Sequence, residues 1–153
     1  MQTEYPYWLV QAYSELINKS DTGIIARNLS NRNIVLATLL SFGHLDRRVI
    51  DCAGGYGILV RLLRDLGIEA LWSDRYCQNL VARGFEYTTG DGSLVTAFEA
   101  FEHFVNPVEE FVRLFDVAPA ILFSTEIIPL PTHHQKDWWY YEREHGQHIV
   151  FFV

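Results

Sequence analysis

The segment Arg48–Gly57 reads Arg-Val-Ile-Asp-Cys-Ala-Gly-Gly-Tyr-Gly, so an apolar strand ends in an acid and enters a glycine-rich turn. Glycine adopts backbone angles that other residues avoid, and it has no side chain to block a ligand. The helical pattern that begins at Ile58 offers main-chain NH groups in its first turn. This combination predicts an open α/β sheet with a nucleotide-like ligand lying against the turn.

The residues after the turn restrict the ligand. A dinucleotide fingerprint requires Gly-x-Gly-x-x-Gly, whereas Gly55 and Gly57 are followed by Val60 at the third glycine position. A phosphate-binding Gly-Lys-Ser/Thr loop is also missing, because the turn continues directly into Ile58 and Leu59. The pattern therefore favours a ligand without a pyrophosphate.

Two aspartates indicate what such a ligand carries. Asp51 precedes the turn, where a carboxylate suits an ammonium or sulfonium group. Asp74 ends a second predicted strand about 20 residues later, where a carboxylate is placed to accept hydrogen bonds from a ribose. S-adenosylmethionine has all three groups. The alternative is an ordinary strand-to-helix connection with surface aspartates that close turns.

A third motif points to a specific protein family. The segment from Leu94 to Phe104 reads Leu-Val-Thr-Ala-Phe-Glu-Ala-Phe-Glu-His-Phe, and a helix is predicted to start at Pro107. Here the chain resembles the class I S-adenosylmethionine-dependent methyltransferases, especially the branch acting on small molecules, whose pattern is a strand, Phe-Glu-x-x-Glu-His and a proline-started helix. The likeness covers most of the chain and continues through three later segments: Leu122–Glu126, Trp138–Tyr141 and Gly146–Ile149.

The resemblance implies S-adenosylmethionine as the cofactor and a small-molecule methyl acceptor as the substrate. In that family the glycine turn wraps the methionine part of the donor, the second acid holds the ribose, and the Phe-Glu strand lines the pocket. The cofactor-binding residues implied in this way are Asp51, Ala53, Gly54, Gly55, Gly57, Asp74, Phe98 and Glu99.

The chain departs from the family pattern in two places. Ala53 stands where the family has the first glycine, and we expect its methyl group to be tolerated only at a negative φ. Family members continue past the His-Ile segment into a helix and a hairpin, so we expect the C-terminal strands of the sheet to be missing from this chain, which stops at Val153.

The predicted fold is a Rossmann-like, mostly parallel sheet with helices on both faces, preceded by two N-terminal helices. It forms one domain, residues 1–153, with a helical cap at 1–45 and a cofactor-binding α/β core at 46–153. The first helix has an apolar face from Trp8 to Ile17, and the second has one from Ile34 to Leu40 and ends before Gly43. In the resembled family such a pair caps the pocket, although ordinary core packing is the favoured explanation of the apolar residues themselves.

Further elements follow from the alternation of apolar runs. The predicted strands are Arg48–Cys52, Ile68–Trp72, Leu94–Phe98 and Ala120–Ser124, and the predicted helices are Ile58–Leu66 and Pro107–Phe115. Asn106 is expected to cap the last helix. Phe85–Thr88 has strand character, but the five residues to Leu94 are too few for a parallel crossover, so we assign it to the return path.

Candidate catalytic residues are histidines, because a sulfonium methyl is already activated and needs only positioning and, for some nucleophiles, a base. His103 ranks first because it follows a central strand at its carboxyl end, although a structural hydrogen bond is an equal alternative; His148 ranks second. No metal site is expected, and the adjacent pair His133 and His134 does not indicate one. The cluster Trp138–Tyr141 walls the acceptor pocket or packs in a core or interface.

Composition limits the partners. The formal charge of −7 and the pI near 5.3 disfavour nucleic acid, which requires clustered Lys and Arg. No leader or membrane span is expected, so the predicted location is cytoplasmic, with Cys52 and Cys77 as reduced thiols. A strand-prone tail, Ile149–Val153, and an expected open sheet edge at Ala120–Ser124 predict pairing between copies and hence a homodimer.

Two further functions stay open beside methyl transfer. One is a shortened, catalytically weak relative that binds the cofactor or serves as an assembly module. The other is a nicotinamide oxidoreductase, which the valine in place of the third glycine disfavours.

Overall fold

A computed structural model describes residues 22–128 and 148–153. Three helices lie in this part of the chain, α1 (Ile24–Phe42), α2 (Ile58–Arg64) and α3 (Pro107–Phe115). Four strands accompany them: β1 (Val49–Cys52), β2 (Ala70–Ser73), β3 (Leu94–Phe98) and β4 (Ile121–Ser124). The first predicted helix and the cluster Trp138–Tyr141 lie outside the described residues.

The strands form one parallel sheet in the order β2-β1-β3-β4. The chain moves from β1 outward to β2 and then returns to the opposite side of β1 to form β3. This reversal creates a topological switch point between β1 and β3, and ligands of open α/β sheets bind outside the carboxyl ends of such strands. The predicted Rossmann-like fold is confirmed.

Helices cover both faces of the sheet, as the alternation of strands and helices predicts. On one face α1 and α2 bury Val35, Leu39, Val60 and Leu63 against the strands. On the other face α3 packs Leu114 beside Ile50 and Val95. Successive residues of a strand point to opposite faces, so Asp51 shares the α2 face and Cys52 the α3 face.

The ends of the helices follow their local sequence. Gly43 ends α1 in the left-handed conformation at φ 68°, and its NH and that of His44 bond to the last carbonyls of the helix. Asn106 caps α3 through a bond from Glu109 N, and Pro107 takes the first helical position. Predicted and observed boundaries agree within two residues for every strand and helix of the sheet region.

The segment after β2 contains one parallel pair and no strand. Glu86 pairs with Trp72 on the outer side of β2, and Tyr87 N donates to the Trp72 carbonyl at 2.7 Å. Only one residue of this segment pairs with β2, so the segment does not form a full strand along which the chain would have to run back before β3 begins. The segment therefore belongs to the return path, as expected.

The C-terminal segment binds its own chain. Phe152 pairs with Ile127 in a parallel bridge, and Ile128 N donates to the Phe152 carbonyl at 2.8 Å. The amides of Ile149 and Val150 donate to the Glu102 carbonyl at 2.8 and 3.1 Å. The sequence predicts that this tail pairs with a second copy. In the structure its main chain instead bonds to the segments that follow β3 and β4 of the same chain.

Across residues 22–128 and 148–153, the structure contains no helix that is both long enough and apolar enough to cross a membrane.

Candidate functional site

The glycine turn after β1 is shaped by close contacts. Gly54 N donates to the Ser73 carbonyl at 3.2 Å, and a Cβ at Gly54 would lie 2.8 Å from both Asp51 Oδ2 and the Trp72 ring. The Trp72 indole NH donates to the Gly55 carbonyl at 2.8 Å. The turn is therefore held against the end of β2, and a side chain at Gly54 would collide with this support.

Gly57 is required for two reasons. Its φ is 85°, and a Cβ would lie 2.8 Å from Asn79 Oδ1 and 2.9 Å from the Ala82 Cβ. Leu80 N and Val81 N both donate to the Tyr56 carbonyl at 3.1 Å. The loop after β2 thus packs directly on the turn.

Two residues at the ends of β1 and β3 have strained backbones. Within the part of the chain that the structure describes, the non-glycine residues with positive φ are Ala53 at 55° and Glu99 at 49°. The expectation of a negative φ at Ala53 is wrong, because the turn imposes a left-handed backbone at this position and its methyl group is exposed. Such strain collects at functional sites, and here it marks the strands that flank the switch point.

Asp51 is a buried carboxylate at this switch point. It is 3% exposed and lies opposite Thr96 on β3, whose hydroxyl donates to Asp51 Oδ1 at 2.6 Å. Burial raises the pKa of Asp51 to about 7; the Thr96 hydrogen bond opposes this shift and nearby Asp74 adds to it. Near neutral pH the carboxyl is therefore balanced between its two forms, and a cation beside it would favour the charged form.

Asp74 lies at the carboxyl end of β2, where the sequence placed it. Its Oδ2 accepts a hydrogen bond from Gly55 N at 2.9 Å, and its Oδ1 accepts from Tyr76 N and Cys77 N at 2.8 Å each. The Cys77 thiol also hydrogen-bonds to this carboxylate, so four groups of the protein share its roughly four acceptor positions. Asp74 thus joins the glycine turn to the next loop.

Phe98 and Glu99 follow each other at the end of β3. Phe98 packs beside the core on the α2 face, with its side chain half-buried. The Glu99 carboxylate accepts a 2.6 Å hydrogen bond from the hydroxyl of Ser124, and Glu99 N donates to the Ser124 carbonyl at 3.1 Å. Glu99 therefore connects β3 with β4, and its role toward a cofactor stays a prediction.

The two candidate catalytic histidines lie together. His103 belongs to a short 3-10 helix, Phe101–His103, directly after β3, and its ring centroid is 4.8 Å from that of His148. The carbonyl of Glu102 holds the tail beside this helix through Ile149 and Val150. Sequence reasoning ranked the histidines separately and missed Glu102, whose side chain is fully buried next to them.

Thr96 and Trp72 were also missed. Both residues lie in strands whose sequence is mainly apolar. The sequence signal for Thr96 was a hydroxyl in a buried run, and its partner on β1 is identified only by the strand register. Asp51, Gly54 and Gly55 are brought together with Asp74 as expected. The histidine pair lies beyond the end of β3.

Neither cysteine carries reactive thiolate chemistry. Burial raises the pKa of Cys52 to about 11 and that of Cys77 to about 12, the latter with the help of Asp74. Neither cysteine forms a disulfide, and the Arg113 guanidinium beside Cys52 is paired with Glu110 at 2.6 Å. They remain protonated thiols at neutral pH.

Comparison with known proteins agrees with this geometry. The family described as "Methyltransferase domain" matches residues 21–153. A similar solved structure is that of magnesium protoporphyrin IX methyltransferase from Synechocystis PCC 6803 with bound SAH, with a TM-score of 0.51 and 17% sequence identity. The alignment covers 78% of this chain and 66% of that protein, so the chain spans just under two thirds of its length.

No curated protein sequence matches the chain significantly. The family match nevertheless extends over nearly all of the chain, and the structural likeness independently shows the same fold. The chain therefore belongs to the methyltransferase-domain family and has the fold of the class I S-adenosylmethionine-dependent methyltransferases.

Proposed function

We propose that this domain transfers a methyl group from S-adenosylmethionine to a small-molecule acceptor. The observation that carries the proposal is the buried Asp51 carboxyl, paired with Thr96 at the switch point and followed by bare glycine backbone. Family membership supports the same donor. The acceptor class follows from the sequence resemblance and from the acidic charge of −7, which disfavours nucleic acid.

The residues present fit the donor. Asp51 suits the ammonium group of its methionine part, because a neighbouring cation stabilises the carboxylate that burial disfavours. Gly55 has no side chain to block a ligand beside the turn, whereas the loop after β2 fills the space next to Gly57. Asp74 lies beside the glycine turn at the end of β2, where a ribose hydroxyl would compete with the Cys77 thiol for its carboxylate.

Val60, at the start of α2, disfavours a dinucleotide. Val60 occupies the third glycine position of the fingerprint and is fully buried in the core between α2 and the sheet. The third glycine serves close packing of helix on strand, and valine prevents that approach. This supports the adenosyl ligand over the nicotinamide alternative.

The chemistry of the site requires mainly positioning. When bound, the donor supplies a methyl group on a positively charged sulfur, which a nucleophile can attack directly. The glycine turn and Asp51 orient the ligand on the β1 side, while His103 and His148 form a polar pair beyond β3. Either imidazole can accept a proton from an acceptor hydroxyl.

Calorimetric titration with S-adenosylmethionine, its demethylated product and NAD tests the proposal. We expect saturable binding of the first two and none of NAD. The variant Asp51→Asn should bind S-adenosylmethionine at least about tenfold more weakly, since a charge-assisted contact contributes roughly 1.5 to 3 kcal/mol. Asp91→Asn, which changes an exposed loop aspartate, is the matched control. Equal binding of NAD, or no binding of either adenosyl compound, would contradict the proposal.

Self-association is the second candidate. The homodimer stays a prediction, and β4 forms one edge of the described sheet, with Phe123 47% exposed. The tail Ile149–Val153 is engaged within its own chain, so pairing through β4 is the route we propose. Sedimentation of wild type and Phe123→Lys tests it: a dimer that the lysine dissociates supports this route, and a monomeric wild type rejects it.

A further inference from the structure

Three side chains with metal-binding groups meet beyond the end of β3. Glu102 and His103 come from the 3-10 helix, and His148 comes from the C-terminal segment, more than forty residues later. Their ligand atoms, one from each residue, all lie within 4.8 Å of one another. The Glu102 side chain is fully buried and the two imidazoles are half-buried.

The main chain fixes this arrangement. The Glu102 carbonyl accepts hydrogen bonds from Ile149 N at 2.8 Å and Val150 N at 3.1 Å, which places His148 beside the 3-10 helix. The imidazole rings of His103 and His148 are 4.8 Å apart at their centroids and inclined by 54°. Two imidazole nitrogens and one carboxylate oxygen therefore converge from elements that the fold holds together.

We propose that Glu102, His103 and His148 bind a divalent transition-metal ion, with Zn²⁺ as the best fit. Two histidines and a glutamate form a ligand set typical of zinc sites that keep one position open. Magnesium and calcium are disfavoured because they prefer oxygen ligands throughout. The sequence alone led to no expected metal, because His148 is far from the other two ligands along the chain.

Distances permit the site after a small adjustment. Ligand atoms around a tetrahedral zinc, each about 2.1 Å from the ion, lie about 3.4 Å apart. The observed upper limit of 4.8 Å means that the ligand atoms must approach one another by up to about 1.4 Å, which side-chain rotations supply. The ion would also offset the negative charge that Glu102 brings into a buried place.

The site has a consequence for methyl transfer that rests on the proposed function. A metal ion with an open position polarises a bound hydroxyl and lowers its pKa. In that state His103 and His148 give their lone pairs to the ion, so the proton of the acceptor hydroxyl would pass to solvent water. The metal-bound oxygen would then bond to the methyl carbon as the bond from that carbon to sulfur breaks, and the demethylated donor would leave. An oxygen nucleophile is then the acceptor group that the site favours.

Metal binding is tested on the whole chain after removal of metals with a chelator. Competition titration with a chromophoric zinc chelator should show one Zn²⁺ per chain, and Co²⁺ should give visible absorption bands of an ion bound by nitrogen and oxygen. Each of His103→Gln, His148→Gln and Glu102→Gln should weaken Zn²⁺ binding at least about tenfold. His44→Gln changes an exposed histidine after α1 and should leave the affinity unchanged.

A second variant and a second measurement guard against misfolding. The double change His133→Gln and His134→Gln removes the adjacent pair and should preserve binding. In wild-type protein, Zn²⁺ should shift the imidazole NMR signals of two histidines, a result that depends on no variant. Absence of stoichiometric binding, or binding that is lost with His133 and His134 but kept without His103, overturns the proposal.

The donor proposal fails or holds separately. S-adenosylmethionine is titrated into the same metal-free protein. Donor binding without zinc binding overturns the metal site and leaves the donor proposal standing, whereas zinc binding without donor binding supports the metal site and removes its link to methyl transfer.

Discussion

The hydroxyl of Thr96 donates a 2.6 Å hydrogen bond to Asp51 across the two strands that flank the switch point. Both residues are buried, Thr96 at 0% and Asp51 at 3% exposure. This bond holds the carboxyl at the ligand end of β1 and is a polar contact that lowers the cost of its burial. The protonation of Asp51 therefore couples stability to donor binding.

The stability of the domain should fall as the pH rises from about 4 to 7. Burial raises the pKa of Asp51 from 3.8 to about 7, so in this interval the folded state binds a proton that the unfolded state has lost. The favourable contribution is complete below pH 4 and is lost as the pH passes the folded-state pKa. Urea unfolding of wild type and Asp51→Asn should differ in slope across this interval, by about 2 to 4 kcal/mol in total.

Donor affinity should change in the opposite direction. A bound ammonium favours charged Asp51, so S-adenosylmethionine should bind more tightly as the pH rises through 7, with release of a proton on binding below that pH. Titrations in buffers of different ionisation enthalpy measure this release. An affinity that is independent of pH between 6 and 8 would contradict a contact between Asp51 and the ammonium group.

Thr96→Val should destabilise the fold by about 1 to 3 kcal/mol, because the valine leaves a buried carboxyl without its hydroxyl donor. The loss should be larger at pH 8 than at pH 5, since the hydrogen bond stabilises the charged form of Asp51. Thr88→Val, at an exposed position in the return path, is the control and should change the free energy of unfolding little. Chemical unfolding of the wild type and both variants at pH 5 and pH 8 measures these differences in the free energy of unfolding.

Gly57→Ala should cost more stability than Gly84→Ala. The two glycines have nearly the same φ, 85° and 86°, so the backbone strain of about 1 to 2 kcal/mol is shared. At Gly57 the new Cβ would also meet Asn79 and Ala82 below 3 Å, whereas nothing lies within 4 Å at Gly84. We expect roughly 1 to 3 kcal/mol of additional loss at Gly57, measured by thermal unfolding. Equal losses of stability in the two variants would show that the loop after β2 moves away from the new methyl group without an energetic cost.

Ala53→Gly should stabilise the domain by up to about 1 kcal/mol. Glycine relieves the left-handed strain at φ 55°, which costs alanine about 1 to 2 kcal/mol, and it loses part of this gain through the greater entropy of the unfolded chain. Ala37→Gly, on an exposed face of α1, is the matched control and should destabilise by about 1 kcal/mol. The same sign for both variants would mean that Ala53 is unstrained in solution.

The sequence by itself determined the local elements of this protein. The strand that contains Asp51, the glycine turn, the end of α1 at Gly43 and the start of α3 at Pro107 each follow from the conformational limits of neighbouring residues. Alternating strands and helices then determined a parallel sheet with covered faces, because parallel strands need crossover connections. Asp51 and Asp74 were placed correctly at strand ends by the same reasoning.

Tertiary structure decided what depends on register and on contacts between distant residues. Thr96 faces Asp51 only through the pairing of β1 with β3, and His148 meets His103 only because the Glu102 carbonyl binds the C-terminal amides. The positive φ of Ala53 likewise comes from a turn held by Trp72 and Asp74 at the neighbouring strand. Local sequence patterns do not reveal these contacts, because each contact joins residues that lie far apart along the chain.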